Sequence, residues 1–283
     1  MLNESLPLVR KYWRYMAVSI ISFVIGNIIM QMFKRIQRIY TGNDLNGDTG
    51  SGEVKEDHYD CDVDHVPYKD YVKFPTSDMI ARSRDFYKTI NLRRSVRKFS
   101  PEPVPKEIIE NIIKAAGTSP SGAHTQPWTF AVVSNPRLKM EIREIVETEE
   151  EINYKKRMGI KWVNDLKKLK TNWIKEYLTT APYLILVFQQ MHSFTSDGDK
   201  RVHYYKEISV NMAAGILITA IQYAGLATVT TTPMNCGPAI RNLLGRPAYE
   251  KLILLFPVGY PAADATVPAL SRKPLSDIMI DFS

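Results

Sequence analysis

The chain has 283 residues, 45% of them hydrophobic and 24% charged, and a formal net charge of +7. That composition excludes a disordered or collagen-like chain and leaves one large globular domain, or one domain with extensions. The charge is no nucleic-acid signature: residues 1–40 hold six Lys/Arg against Glu4 alone, while the remaining 31 basic and 29 acidic residues nearly cancel.

From Tyr15 to Phe33 no residue is charged, and Ile20, Ile21, Phe23, Val24, Ile25, Ile28 and Ile29 make the stretch apolar nearly all round. Its 19 residues of helix span a bilayer core. Arg10, Lys11 and Arg14 precede it, Lys34, Arg35 and Arg38 follow it, and Trp13 and Tyr15 suit the interface. A cleaved signal peptide is the competing reading, but the run leads into basic residues instead of a small-residue cleavage site. Residues 1–33 are therefore expected to carry a membrane anchor over 15–33. Equal basic flanks leave its orientation open. Residues 34–66 are expected to be a flexible linker, since 41–60 are rich in Gly, Asp, Asn and Glu and poor in large apolar side chains. Cys61 and Cys236 lie too far apart in sequence for a disulfide framework, which suits a reducing compartment, and neither has metal-ligand spacing to the five histidines. The expected location is a single-pass membrane protein with its globular part in the cytoplasm.

The globular part, 67–283, begins with helical spacing over Ser77 to Asn91, capped by Ser77 or Thr76. This helix delivers Arg93-Arg94-Ser95-Val96-Arg97, in which three guanidinium forks and a hydroxyl occupy five residues. Such a set matches a phosphate ester, although an arginine run by itself is more often a solvated turn. Pro105 opens a second helix with Ile108, Ile109, Ile112, Ile113 and Ala116 on one stripe, stopped by Gly117. Thr118 to Pro127 is a loop whose backbone can approach a ligand, and Trp128 to Val133 is a short apolar strand. Residues 137–178 read as an amphipathic helical hairpin dense in charge, with a second helical period through Trp162, Leu166, Leu169, Trp173, Ile174 and Tyr177. Weak apolar packing of this kind suits a movable lid over 147–178. Tyr183 to Phe188 is a buried strand, Val202 to Tyr223 the longest helix and both core helix and dimer seam, Thr228 to Thr232 a β-branched strand, Pro238 to Gly245 a short helix and Leu252 to Phe256 a strand. Without a regular βαβ beat, the order predicts an α+β fold. Neither a dinucleotide fingerprint nor a P-loop is present.

The arginine run, Pro120 to Trp128, Thr230 to Pro233, Pro257 to Pro261 and Arg272-Lys273-Pro274, in that order, resemble the nitroreductase superfamily of FMN enzymes. Pro120 to Thr125, Glu149 to Tyr154, Thr171 to Glu176 and Thr230 to Cys236 resemble its iodotyrosine-deiodinating branch. The resemblance implies a mixed sheet flanked by helices, in a homodimer with shared active sites. It implies FMN held by Arg93, Arg94, Ser95, Val96, Arg97, Ser121, Thr230, Thr231, Thr232 and Arg272, with the Thr232 hydroxyl bonding flavin N5 as the catalytic contact. It implies a halogenated tyrosine whose phenolate meets the Ala123 N–H and whose zwitterion meets Glu150, Tyr154 and Lys175. Glu150 and Tyr154 are four apart, hence on one helix face; the Glu150 carboxylate suits an ammonium and Lys175 suits a carboxylate. The activity implied is reductive removal of iodide from 3-iodotyrosine or 3,5-diiodotyrosine, with NADPH as ultimate reductant through a separate reductase. A general nitro or quinone reductase, or a tethered flavin-binding protein without turnover, remain the alternatives. No metal and no nucleic acid are expected.

Overall fold

The structure, a computed structural model, describes residues 63–283, so the expected anchor, most of the linker and Cys61 lie outside the described residues. Among the described residues no helix is long and apolar enough to cross a membrane. Residues 63–71 have no regular secondary structure, and Val72–Ser283 form one compact unit.

That unit starts with α1 (Thr76–Asn91) and α2 (Lys106–Gly117). The N-cap of α1 is Pro75, with no side-chain cap, so Thr76 and Ser77 lie inside the first turn and neither caps it. A 3-10 turn, Gly122–His124, leads to β1 (Trp128–Val133). Then come α3 (Pro136–Ile152), a π turn (Asn153–Arg157), α4 (Ile160–Lys168) and the single turn α5 (Tyr177–Thr180). The Asn135 side chain accepts from the Arg137 and Leu138 amides and so caps α3. The second period of the hairpin is thus broken: Trp173, Ile174 and Lys175 lie in the connection between α4 and α5, on no helix.

Next are β2 (Tyr183–Gln190), the short pair β3 (His192–Phe194) and β4 (Lys200–Val202), and α6 (Lys206–Tyr223). The helix expected from Val202 starts four residues later, because Val202 is paired with His192 and Tyr205 takes a left-handed φ of 50° that no helix can absorb. Gly225, at φ 79°, closes it. The chain ends with β5 (Ala227–Thr228), α7 (Gly237–Leu243), β6 (Glu250–Gly259) and a 3-10 turn, Leu275–Asp277. The strand expected over Thr228 to Thr232 contracts to two residues plus a bridge between Thr231 and Leu255, while that over Leu252 to Phe256 lengthens at both ends.

The main sheet has the order β1-β2-β6-β5 with antiparallel neighbours; a parallel bridge of Ser95 to Thr228 is the mixed element. Its middle strand is apolar on both sides. Leu184, Leu186 and Phe188 pack with α3, α5 and α7 residues such as Ile142, Leu178 and Ile240. Ile185 and Val187 pack with Ile109 and Ile112 of α2 and with Val210, Leu217 and Ile221 of α6. Helices thus cover both faces, the reason Tyr183 to Phe188 reads as an unbroken apolar run. Two helices keep bare apolar surface: α1 has no buried residue and exposes Met79, Ile80, Phe86 and Tyr87, and α6 exposes Ile208 and Met212.

Candidate functional site

The arginine run is pinned along the sheet edge by Val96, whose N–H donates to the Thr228 carbonyl at 3.1 Å and whose side chain enters the core. Val96 is therefore an anchor, and its neighbours face outward. Arg93, Arg94, Ser95 and Arg97 line a cavity of about 260 Å³ together with Arg272, and no carboxylate lines it. Arg272 is held there by bonds to the Asn91 carbonyl and side-chain oxygens at 3.0 Å and to the Arg93 carbonyl at 2.7 Å. Arg94 donates to the Pro268 carbonyl. Burial lowers the Arg93 guanidinium below its ordinary range, and the charges of Arg272 and Arg94 lower it further. Crowded, partly buried cations without a counter-charge fit a phosphate ester.

Arg97 also lines a second cavity, of about 340 Å³, with Glu150, Tyr154, Lys175 and Thr230 to Pro233. Trp162 and Leu166 of α4 close one side of it. Glu150 and Lys175 are both buried, and Lys175 Nζ lies 3.7 Å from Glu150 Oε2 and 5.5 Å from the centre of the Tyr154 ring. Trp173 meets that ring edge-on at 6.0 Å. Lys175 keeps its position because Glu147 Oε1 accepts its N–H at 2.6 Å, and Arg143 Nε donates to the same oxygen at 2.8 Å. Burial lowers the Lys175 ammonium, against the pull of Glu150 and with the help of Arg97, and burial raises the Tyr154 phenol. A buried pair whose partners are one acid and one base can open to receive an amino-acid zwitterion, each charge exchanging its partner for one of the ligand's.

Thr231 is committed to the sheet, its hydroxyl donating to the Leu255 carbonyl at 2.8 Å. Thr230 and Thr232 flank it and are exposed, with Thr232 lining the cavity. The loop from Ser119 to Pro127 is bent by three non-glycine residues of positive φ, Ala123 (48°), His124 (51°) and Gln126 (46°). Ser121 Oγ accepts from the Gln126 N–H at 2.9 Å, and Gly122 lies so close to Tyr204 that an added Cβ would stand 2.8 Å from its carbonyl oxygen. The Ala123 amide, unlike those of His124 and Thr125, makes no backbone hydrogen bond. Strain of this kind is kept where a backbone group is needed for something else. Ser121 and Ala123 line neither cavity of their own chain. Sequence reasoning missed Asn153 and Glu147, polar residues in or just after a charge block, where no periodicity marks the ones that will pack inward; Tyr177, which the helical period places on an apolar stripe, also lines the Glu150 cavity.

An α+β domain with an arginine-lined cavity at its sheet edge has known counterparts. The chain belongs to the nitroreductase family, whose model matches residues 90–260. Within that family it is similar to iodotyrosine deiodinase 1 of Mus musculus, 58% identical over 246 residues that cover 85% of this chain and 86% of the relative. Iodotyrosine deiodinase 1 of Homo sapiens is 56% identical over 248 residues, with 86% of each chain covered. Iodotyrosine deiodinase of Daphnia pulex is 50% identical over 299 residues, covering 99% of this chain and all of the relative. Among solved structures, an oxidised iodotyrosine deiodinase bound to FMN and 3-iodo-L-tyrosine aligns with a TM-score of 0.60 at 29% identity, over 70% of this chain and 98% of that one. These relatives put the chain in the iodotyrosine deiodinase branch of the family.

Proposed function

We propose that the protein removes iodide reductively from 3-iodotyrosine, and from 3,5-diiodotyrosine, leaving tyrosine. The observation that carries this reading is the meeting, at Arg97, of an arginine-lined cavity without a carboxylate and a second cavity holding the Glu150–Lys175 pair. The first fits the phosphate of FMN, through Arg93, Arg94, Ser95, Arg97 and Arg272; Ser121 and Thr230 to Thr232 are the remaining cofactor contacts, with the Thr232 hydroxyl assigned to flavin N5. FMN, when bound, supplies the two electrons that, with one proton, convert a carbon–iodine bond to carbon–hydrogen and iodide. The protein's own work is to orient and to exclude water. Glu150 takes the substrate ammonium, Lys175 takes its carboxylate, the Tyr154 ring covers it, and the Ala123 N–H donates to the phenolate oxygen, holding the ring in its anionic form.

The active protein is proposed to be a homodimer. Support comes from the bare faces of α1 and α6 and from the position of Ser121 and Ala123 outside the cavities of their own chain; a second copy brings its loop to complete the site. The apolar, charge-free stretch 15–33 supports a membrane anchor, the two widely separated cysteines suit a catalytic domain on the reducing, cytoplasmic side, and NADPH would act through a separate reductase. The test is to reduce the purified protein without air and add 3-iodo-L-tyrosine. Equal yields of iodide and tyrosine are expected. A yellow protein that reduces a nitroaromatic and releases no iodide would instead be a general reductase, and one that does neither a flavin carrier.

A further inference from the structure

Asn153 opens the π turn with its side chain wholly buried. Its carbonyl accepts the Met158 N–H at 2.9 Å, the bond that widens the turn. Its Oδ1 accepts from Arg157 at 3.0 Å and from Asn235 Nδ2 at 3.3 Å, and its Nδ2 donates to Glu150 Oε1 at 3.3 Å. Arg157 is itself fixed by Glu149 at 2.9 Å. A buried amide is tolerated when its donors and acceptors are satisfied, and here they are spent on three specific partners. Those partners are a carboxylate of the second cavity, a guanidinium of the same turn, and Asn235 on the loop that follows Thr230 to Thr232.

The two oxygens of Glu150 are thereby divided, Oε1 facing Asn153 and Oε2 facing Lys175. A zwitterion entering the pair draws Lys175 toward its own carboxylate and brings its ammonium to Oε2. Without a donor on Oε1, the Glu150 carboxylate is free to rotate after Lys175. We infer that Asn153 is a positioning residue for amino-acid recognition: it holds Glu150 by one oxygen while the other exchanges lysine for substrate, and through Asn235 it ties the clamp to the Thr232 segment. This rests on the proposed clamp by Glu150 and Lys175.

The test uses the FMN-loaded protein and calorimetric dissociation constants for 3-iodo-L-tyrosine and for 2-iodophenol, which lacks the zwitterion. Asn153→Ala is expected to weaken the amino acid about tenfold, the worth of one hydrogen bond to a charged group, and to leave 2-iodophenol and FMN content unchanged. Asn235→Gly, which suits the left-handed φ of 65° at that position, should weaken it in the same direction by less. It carries the test if Asn153→Ala does not fold. Equal weakening of both ligands would make Asn153 plain scaffold, and no weakening of either would remove its role; both outcomes overturn the inference. Glu150→Gln separates the two levels. If it leaves 3-iodo-L-tyrosine binding intact, the clamp itself is wrong and the inference falls with it. If it weakens binding while Asn153→Ala and Asn235→Gly do not, the inference alone fails.

Discussion

Arg97 is the side chain shared by the two cavities, with its guanidinium charge acting on Tyr154 and Lys175 on one side and its neighbours Arg93 and Arg94 on the other. Arg97→Ala should weaken FMN binding by about 1.5–3 kcal/mol, the worth of one charge-assisted contact. Fluorescence titration measures this, and an unchanged affinity would take Arg97 out of the clamp. Between Thr230 and Thr232, Thr231 is committed to β6, which leaves the hydroxyls of Thr230 and Thr232 on the cavity, and Thr232 is the one proposed for flavin N5. Thr232→Ala should slow iodide release more than reduction of a nitroaromatic, because a donor at flavin N5 favours one-electron steps; equal slowing of both would refute that role. By residue types alone the arginine run matches a phosphate ester but is more often a solvated turn, and Arg272 joined it only through resemblance, since nothing local to Arg272-Lys273-Pro274 points 175 or more positions back. Val96 was counted with the cofactor contacts but is buried at 7% exposure, its N–H already bonded to Thr228. A β-branched residue between arginines on an edge segment alternates inward, a pattern visible in the sequence once the segment is known to be extended.

The lid is the element whose behaviour matters most. Many of its charged residues are paired with one another on the outer face, as in Lys155–Glu151 and Lys168–Asp165, and exposed pairs of this kind add little stability. In α4 no residue is buried, and Ile160 and Trp162 are exposed. Ordering entropy is poorly offset in such a segment. Amide hydrogen exchange over 147–178 should therefore slow markedly with 3-iodo-L-tyrosine and hardly at all with 2-iodophenol, and Lys175→Gln should abolish most of the protection without loss of FMN. Equal protection by 2-iodophenol would mean that the helices are static scaffold. Strands with an apolar run were readable in place, Trp128 to Val133 to the residue, while the buried strands after Tyr183 and around Leu252 to Phe256 extend beyond their apolar runs into polar residues that still pair. The three-residue strands β3 and β4 were not, since exposed pairs of that length carry no alternation. Likewise the β-branched stretch after Thr228 keeps its register beside β6 as far as the bridge of Thr231 to Leu255, but its ladder is interrupted at Val229 and Thr230, which strand propensity does not reveal.

The molecule as a whole has its charge excess in residues 1–40, outside the described residues, and a nearly balanced catalytic unit. Its core contains two acids kept neutral. Burial pushes the Cys236 thiol up to about 12, with Glu150 and Glu149 adding to the shift, and burial likewise raises the Tyr177 phenol. Both folded values lie above the unfolded ones, so their contribution to stability is complete below about pH 8.5 and drains as pH rises toward the folded values. The denaturant midpoint should fall between about pH 9 and about pH 11 and be restored in part by Cys236→Ala relative to its own value at pH 7; a midpoint flat over that range would contradict the burial of these groups. What most directly probes the assignment is the ratio of iodide-release efficiencies, kcat/KM, for 3-iodo-L-tyrosine and 2-iodophenol with the reduced protein, measured for the natural chain and for Lys175→Gln. The expected result is a strong preference for the amino acid that Lys175→Gln largely erases, with the rate on 2-iodophenol unchanged. Equal efficiency on both substrates in the natural chain would show that the Glu150–Lys175 cavity does not select a zwitterion, and the reading of this protein as an iodotyrosine-specific dehalogenase would be wrong.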